Sequence, residues 1–212
     1  YWDSLPTVAP IDNIDQDKVT PQAGALFKLG ENVSVFASYS ESLETQNALD
    51  ADGNASGPIE ASGYEFGFKA EGFHNRLSGT VSVFEVERAN TATRDTLREA
   101  REGRDPFFFF GNTETSSGLE ADIAFNPVGA WQILVTYAWL WQREVTAAQD
   151  PARIGAIFEQ TPEHALNIWN KYVFASGSLK GLEIGGGVRW DSGYLINPLI
   201  ETDASHRFDA MV

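Results

Sequence analysis

The sequence predicts an all-β fold: an antiparallel portion of a transmembrane β-barrel, with about eight full strands and the start of a ninth. Three observations predict this fold. Apolar and polar residues alternate with period two over segments of strand length. Short turns and long polar stretches alternate along the chain, and the charged residues of the segments fall on one face only. A barrel wall between lipid and a water-filled lumen has all three properties.

The alternation is clearest over residues 131–142. The apolar face of this segment comprises Trp131, Ile133, Val135, Tyr137, Trp139 and Trp141, and the opposite face includes Gln132, Thr136 and Gln142. The segments 33–40, 64–71, 119–125 and 182–191 alternate in the same way, 19–28, 76–88 and 165–174 do so less regularly, and 206–212 begins the ninth strand. Each segment is therefore expected to bury one face and to leave the other polar.

The polar faces carry charges of both signs near the middle of the predicted strands. These residues are Glu65, Lys69, Glu120, Asp122, Lys171, Glu183 and Arg189. A lumen keeps such ions hydrated, whereas the hydrocarbon of a bilayer does not. The charged face is therefore predicted to line the lumen.

Connections of two lengths separate the strands. Short Gly- and Asn-rich turns are expected at 30–32, 73–75, 126–129 and 176–178, and long polar stretches at 43–60, 90–112, 146–162 and 195–205. Outer-membrane barrels have short periplasmic turns and long outer loops. The long stretches are therefore predicted to lie outside the cell.

Aromatic residues concentrate at the predicted strand ends. Phe27, Phe125, Trp131 and Phe174 adjoin short turns, and Tyr39, Trp139, Trp141 and Trp190 lie toward long loops. Amphipathic rings favour the headgroup level of a bilayer, so these residues are predicted to form two membrane girdles.

Composition excludes several other classes. A net charge of −15 leaves no basic stripe for nucleic acid, and the absence of Cys removes disulfides and thiolate metal sites. There is no apolar run of roughly 20 residues for a helical span. The chain begins at Tyr1 without a signal peptide and ends within the predicted ninth strand, so we expect a part of a larger barrel.

Several segments resemble, in order, the barrel strands of TonB-dependent siderophore receptors. The sequence from Tyr64 to Lys69 is similar to a "YE-G-K" strand of that family, and 76–90 resembles the strand after it. Ser117-Gly118-Leu119-Glu120 resembles an "S-G-x-E" strand, and Thr161-Pro162-Glu163-His164 a "P-x-H" strand. The glycine-rich 180–190 and the final 209–212 complete the series, which covers roughly residues 18–212.

The resemblance implies the C-terminal part of a barrel of about 22 strands, without its plug, its TonB box and its last strands. Residues 1–212 would form one partial barrel domain, with 1–17 in an outer loop. The implied protein lies in the outer membrane of a Gram-negative bacterium, in contact with lipid and lipopolysaccharide. It would take up a ferric siderophore, energised by the TonB complex acting on the plug.

No catalytic residues are predicted, because the three His residues lie in different segments and no Ser or His arrangement converges. The protein is expected not to be an enzyme and to bind no cofactor or metal. An acidic stretch at 50–54 is similar to a calcium loop, but its Gly is misplaced and the distal Glu is absent. A solvated acidic loop is the preferred interpretation.

Ligand contacts are predicted in the outer loop around residues 90–112. Its aromatic run comprises Phe107, Phe108, Phe109 and Phe110, and its basic residues include Arg94, Arg98, Arg101 and Arg104. Exposed apolar patches mark binding sites, and ferric siderophores are often anionic. The alternative is that the rings pack against the barrel and the arginines pair with nearby carboxylates or lipopolysaccharide phosphates.

Two other functions stay open at this point. A passive porin or barrel adhesin would have the same strands, with a constricting loop or passenger domain in place of the plug. A soluble β-sandwich binding module would bury the apolar face as a core and would be a monomer without detergent.

Overall fold

The computed structural model describes residues 17–50, 55–94, 108–197 and 199–212, and within these ranges its regular secondary structure is strand except for one 3-10 turn. The long strands are β1 Gln22–Lys28, β2 Val33–Glu44, β3 Ile59–Gly72, β4 Leu77–Arg94, β5 Phe108–Phe125, β6 Trp131–Ala147, β7 His164–Val173, β8 Glu183–Asp191 and β11 Ser205–Met211. A small hairpin of β9 Leu195–Asn197 and β10 Ile200–Glu201 lies between β8 and β11, and one 3-10 turn spans Pro151–Arg153. No helix among the described residues has the length and apolarity needed to cross a membrane.

The long strands form one nine-stranded sheet in the order β1-β2-β3-β4-β5-β6-β7-β8-β11. Every neighbouring pair is antiparallel. The predicted fold class, eight strands and the start of a ninth, is therefore confirmed. Since β1 and β11 each have a partner on one side only, the sheet is an unclosed barrel wall.

Cross-strand pairing places the predicted apolar faces on one side of the sheet. A single row of paired residues runs through Phe66, Val83, Leu119, Trp139 and His164. Many large apolar side chains on this face are exposed, among them Phe66, which keeps 48% of its surface. We call it the outer face, because an apolar face that no protein covers matches lipid rather than water.

The opposite, lumenal face carries the predicted charges. Glu120 pairs with Ala138 and Ser82, and Asp122 pairs with Thr136 and Thr80. Both carboxylates thus face away from the apolar rows. The period-two alternation assigned the face of these residues correctly.

Glycines on the lumenal face provide room for aromatic rings from neighbouring strands. A Cβ at Gly67 would lie 2.7 Å from a Phe36 ring carbon, and one at Gly187 would lie 2.6 Å from a Trp169 ring carbon. At Gly118 it would lie 2.9 Å from Phe84. The rings therefore lie flat over positions that tolerate no side chain.

One residue lies on the opposite face from the prediction. Gln142 was expected opposite Trp141, but a register shift in β6 pairs Gly118 with Leu140 and Ser117 with Gln142. The bulge brings Gln142 to the outer face, where it contacts Ser117. A bulge inserts one extra residue and so reverses the alternation beyond it.

Short and long connections alternate as predicted, but the strands extend farther into the long polar stretches. β3 begins at Ile59, β4 continues to Arg94, β5 begins at Phe108 and β6 continues to Ala147. The expectation that 43–60, 90–112 and 146–162 are wholly loop was therefore wrong at their ends, and 195–205 contains the β9–β10 hairpin. Above the apolar band the strands need only backbone pairing, so their Thr, Asn and Glu residues show no apolar alternation.

Most of the buried side chains of the described residues lie toward the loop end of the sheet, and Ser82 in the middle of β4 is an exception. The buried apolar residues are Ala48, Ile59 and Val145. Asn112 is the most enclosed large side chain, with 1% of its surface exposed. The tightest packing is thus where the outer loops meet the strands.

Candidate ligand-binding surface

The lumenal wall contains a groove of about 470 Å³ across β5 to β8 and β11. Carboxylates form one side, Glu120 and Asp122, and guanidinium groups form the other, Arg189 and Arg207. Its floor is made of small and polar residues, including Asn167. This lining is typical of a polar, hydrated surface and not of a binding site for an apolar ligand.

Each arginine of the groove is paired with an aspartate two residues along its own strand. Arg189 donates from Nε and an Nη to both oxygens of Asp191, at 2.8 and 3.2 Å. Arg207 Nε donates to Asp209 Oδ2 at 3.0 Å. These pairs offset the repulsion between Arg189 and Arg207, which are directly opposite across β8 and β11.

A second set of lumenal ion pairs lies nearer the loops. Arg88 Nη2 lies 3.0 Å from Glu44 Oε2, and Arg88 Nη1 lies 3.6 Å from Glu114 Oε2. Arg143 lies 3.6 Å from Glu163. The guanidinium of Arg88 is therefore paired with two carboxylates.

The predicted ligand-contact residues lie partly within the described chain. Phe108, Phe109 and Phe110 open β5, and Phe109 keeps 41% of its surface exposed. Phe108 is directly opposite Arg94, the last residue of β4, so the structure brings these two predicted residues together. Phe107, Arg98, Arg101 and Arg104 lie outside the described residues.

The residues predicted as girdles lie on the outer face at or near strand ends. Phe27 and Trp131 are exposed at the turn end, whereas Trp139 and Trp141 are exposed toward the loops. Phe125, Phe174, Tyr39 and Trp190 are half-buried. Their contact with a bilayer interface stays a prediction.

His164 is a member of the outer face that sequence analysis did not connect with its neighbours. Its ring stacks between Trp139 and Trp190, with centroid separations of 5.8 and 6.3 Å. Its Nδ1 shares a hydrogen bond of 2.9 Å with the hydroxyl of Tyr137. Only the register of three strands creates this cluster, so no spacing in the sequence indicates it.

Carboxylates follow the apolar band on the outer face of β2, β3 and β4. Glu41, Glu60 and Glu85 each occupy an outward position on the loop side of an apolar residue of their strand, Tyr39, Tyr64 and Val83 respectively. Lys18 donates to Glu60 at 2.5 Å and lies 3.8 Å from Glu41. Chiefly because of the hydrogen bond to Glu60, the pKa of Lys18 is raised above its ordinary value.

Residues 51–54 of the acidic stretch at 50–54 lie outside the described residues. In the rest of the described chain, no group of three or more His, Asp or Glu side chains has a metal-binding arrangement.

A family model for the β-barrel of TonB-dependent receptor-like proteins matches residues 3–212. This chain belongs to that family. The resemblance seen in the strand motifs is thereby confirmed. The family is one of receptors of the Gram-negative outer membrane and not of enzymes.

Curated relatives within the TonB-dependent receptors include siderophore receptors. The ferric-pyoverdine M114 receptor of Pseudomonas sp. (strain M114) is 28% identical over 203 residues, covering 94% of this chain and 24% of the receptor. The ferrioxamine B receptor of Salmonella typhimurium (strain LT2) is 24% identical over 181 residues, covering 85% and 24%. The chain thus spans about a quarter of the length of these relatives.

Solved structures of this family have the same fold. The outer-membrane ferripyoverdine receptor of Pseudomonas aeruginosa, bound to ferripyoverdine, matches with a TM-score of 0.69 at 24% identity, over 90% of this chain and 26% of that structure. The ferric preacinetobactin receptor of Acinetobacter baumannii matches with a TM-score of 0.70 at 18% identity, over 90% and 28%.

Proposed function

We propose that the chain is the barrel segment of an outer-membrane TonB-dependent receptor that takes up a ferric siderophore. The observation that carries this proposal is the family match together with siderophore receptors among the relatives. The described geometry agrees with it. A groove with charged residues on both sides lies on the lumenal face, and the aromatic segment Phe108–Phe110 opens β5 at the loop end of the sheet.

The proposal extends to the parts that this segment would need. Residues 1–17 would lie in an outer loop. A plug and further strands of the complete receptor would fill and close the barrel, and the TonB complex would act on that plug. Lipid and lipopolysaccharide would surround the outer face, where the exposed rings of Phe27, Trp131 and Trp141 lie.

Phe108, Phe109 and Phe110 would contribute to siderophore contact at the outer end of β5. Phe109 presents an exposed ring beside the tip of β4, and flat rings contact the aromatic and alkyl parts of a chelate. Arg94 opposite Phe108 would place one cation at the same level. Arg98, Arg101 and Arg104 follow it in sequence.

Growth under iron starvation tests the function. The complete gene is expressed in a strain that lacks its own siderophore receptors, and growth is measured with ferric pyoverdine, ferrioxamine B or ferrichrome, with and without TonB. Rescue by at least one chelate that requires TonB supports the proposal. Rescue without TonB would indicate a passive pore, and no rescue by any ferric siderophore would contradict the proposal.

Phe109→Ala tests the contact in the same strain. Uptake of the rescuing chelate is expected to fall several-fold, because a buried aromatic contact contributes about 1–3 kcal/mol. Phe73→Ala, which removes an exposed ring at the opposite, turn end of the sheet, is the matched control and should leave uptake unchanged.

A further inference from the structure

The described parts of the outer loop between β2 and β3, residues 45–50 and 55–58, contain residues that pack against the strands. Ala48 and Ser56, within it, and Ile59, just after it, are all buried. The backbone N–H of Ser56 donates to the carbonyl of Ala48 at 3.0 Å, and Leu49 and Ala55 form a β-bridge. The described parts of this loop, 45–50 and 55–58, therefore have a defined conformation.

Two side-chain amides join this loop to β4. Gln46 Nε2 donates to the carbonyl of Gly57 at 2.8 Å and to the carbonyl of Asn90 at 2.7 Å. Asn90 Nδ2 donates to the carbonyl of Pro58 at 3.0 Å. Gln46 thus closes its own loop and also fastens it to the neighbouring strand, 44 residues along the chain.

The backbone of β4 is shaped for this attachment at Asn90. This residue has a φ of 61°, in the left-handed region that Asn tolerates better than most side chains. The β4–β5 register shifts between Arg88 and Thr91 and again between Thr91 and Thr93. A bulge of this kind turns the strand and redirects the side chains beyond it.

The same irregular region fixes the beginning of β5. The buried Asn112 donates from Nδ2 to Thr93 Oγ1 at 2.9 Å. The backbone N–H of Phe108 donates to the carbonyl of Leu49 at 3.2 Å. The described loop residues 45–50 and 55–58, the tip of β4 and the Phe108–Phe110 segment are therefore bonded to one another.

We infer that Gln46 and Asn90 are positioning residues for siderophore binding: they hold the loop after β2 and the Phe108–Phe110 segment as one preformed wall of the outer binding surface. The inference rests on the proposed function. A preformed wall lowers the ordering cost of binding, and apparent affinity falls with the fraction of molecules in which the wall is formed. Neither residue needs to touch the ligand.

The test uses the complete receptor purified from outer membranes, with Gln46→Ala and, as a milder variant, Asn90→Gly. Glycine at position 90 adopts the left-handed backbone conformation readily but lacks the side-chain amide of Asn90. Gln132→Ala, at the turn end of β6, is the matched control. Hydrogen exchange of the peptides covering 45–50 and 55–58 is measured first, without ligand. The Kd is then measured for whichever of ferric pyoverdine, ferrioxamine B or ferrichrome supported growth.

Both variants are expected to speed exchange in this loop and to raise the Kd several-fold to about tenfold, in line with the loss of one to two hydrogen bonds. Barrel strands and the control should be unchanged. Unchanged exchange in both variants would overturn the inference, and so would faster exchange with an unchanged Kd. If no ferric siderophore binds the unmodified receptor, the proposed function fails, while the exchange result still shows whether the loop is held as described.

Discussion

Single glycines on the lumenal face determine where the largest lumenal rings lie. Phe36, Phe84 and Trp169 each lie over a glycine of an adjacent strand, and the sites of three missing Cβ atoms are also within 2.7 Å of a backbone carbonyl oxygen. A flexible side chain could move aside, but the paired backbone could not. Gly67 and Gly118 are thus required by packing in two of the strand motifs that resemble the family.

Gly118→Ala is expected to destabilise the receptor. The new Cβ would lie 2.6 Å from the carbonyl oxygen of Trp139, so the β5–β6 pairing must shift, at a cost of about 1–3 kcal/mol. Gly24→Ala is the control, because its nearest neighbour would be 3.6 Å away. The stability of both variants is measured as the temperature at the midpoint of the heat-induced shift in gel mobility. Equal midpoints for the two variants would contradict this account of Gly118.

Residue positions were predictable from the sequence where only local alternation mattered. Glu120 and Asp122 face the lumen because every second residue of a strand lies on one side. Gln142 was misplaced because a bulge depends on the partner strand. The Gln46–Asn90 contact could not be predicted from the sequence for a similar reason, because it joins residues that are far apart in sequence and follow no periodic pattern.

The short turns are the elements with the most constrained backbone. Phe73, His74 and Asn75 have φ values of 50°, 58° and 63°, so three successive side chains adopt the left-handed region. This conformation suits the tight reversal between β3 and β4, whose register continues to Gly72 and Leu77. Asn tolerates it well, but Phe and His do so at a cost.

Substitutions at His74 should therefore have opposite effects. His74→Gly removes the steric cost of a Cβ and is expected to be neutral or stabilising by up to about 1 kcal/mol. His74→Val places a β-branched residue at positive φ and is expected to cost about 1–2 kcal/mol. The order of their unfolding midpoints in detergent checks this. A valine variant as stable as the glycine variant would show that the turn relaxes to another conformation.

Strand existence was easier to predict than strand length. The apolar band of each strand alternates because one face is apolar and the other polar, and this pattern identified every long strand. Beyond the band, residues such as Thr91 and Thr115 are buried by pairing and loop packing rather than by lipid. Their polar composition is the same as that of a loop, so the upper ends of β4 and β5 could not be distinguished from loop.

At the scale of the whole molecule, the sheet has two unlike faces and two unpaired edges. The outer face is apolar over the middle of the long strands, and the lumenal face carries the charged residues, several of which are paired or line the groove. In the part of the chain that the structure describes, the edge strands β1 and β11 leave backbone groups without partners in the sheet. A bilayer accepts such a sheet only when further strands satisfy those groups, which agrees with a segment of a larger barrel.

The orientation of the sheet in the membrane predicts opposite responses at neighbouring positions of β4. Val81 lies on the outer face, between Phe68 and Ala121, and Thr80 lies on the lumenal face, between Lys69 and Asp122. In the complete receptor, Val81→Arg is expected to cost about 2–4 kcal/mol, because the guanidinium would enter hydrocarbon. Thr80→Arg keeps the same added charge in a hydrated lumen beside a carboxylate and should cost far less. The effect of each substitution is measured as the amount of folded receptor in the outer membrane. If Thr80→Arg were the more damaging of the two, the assignment of the outer and lumenal faces would have to be reversed.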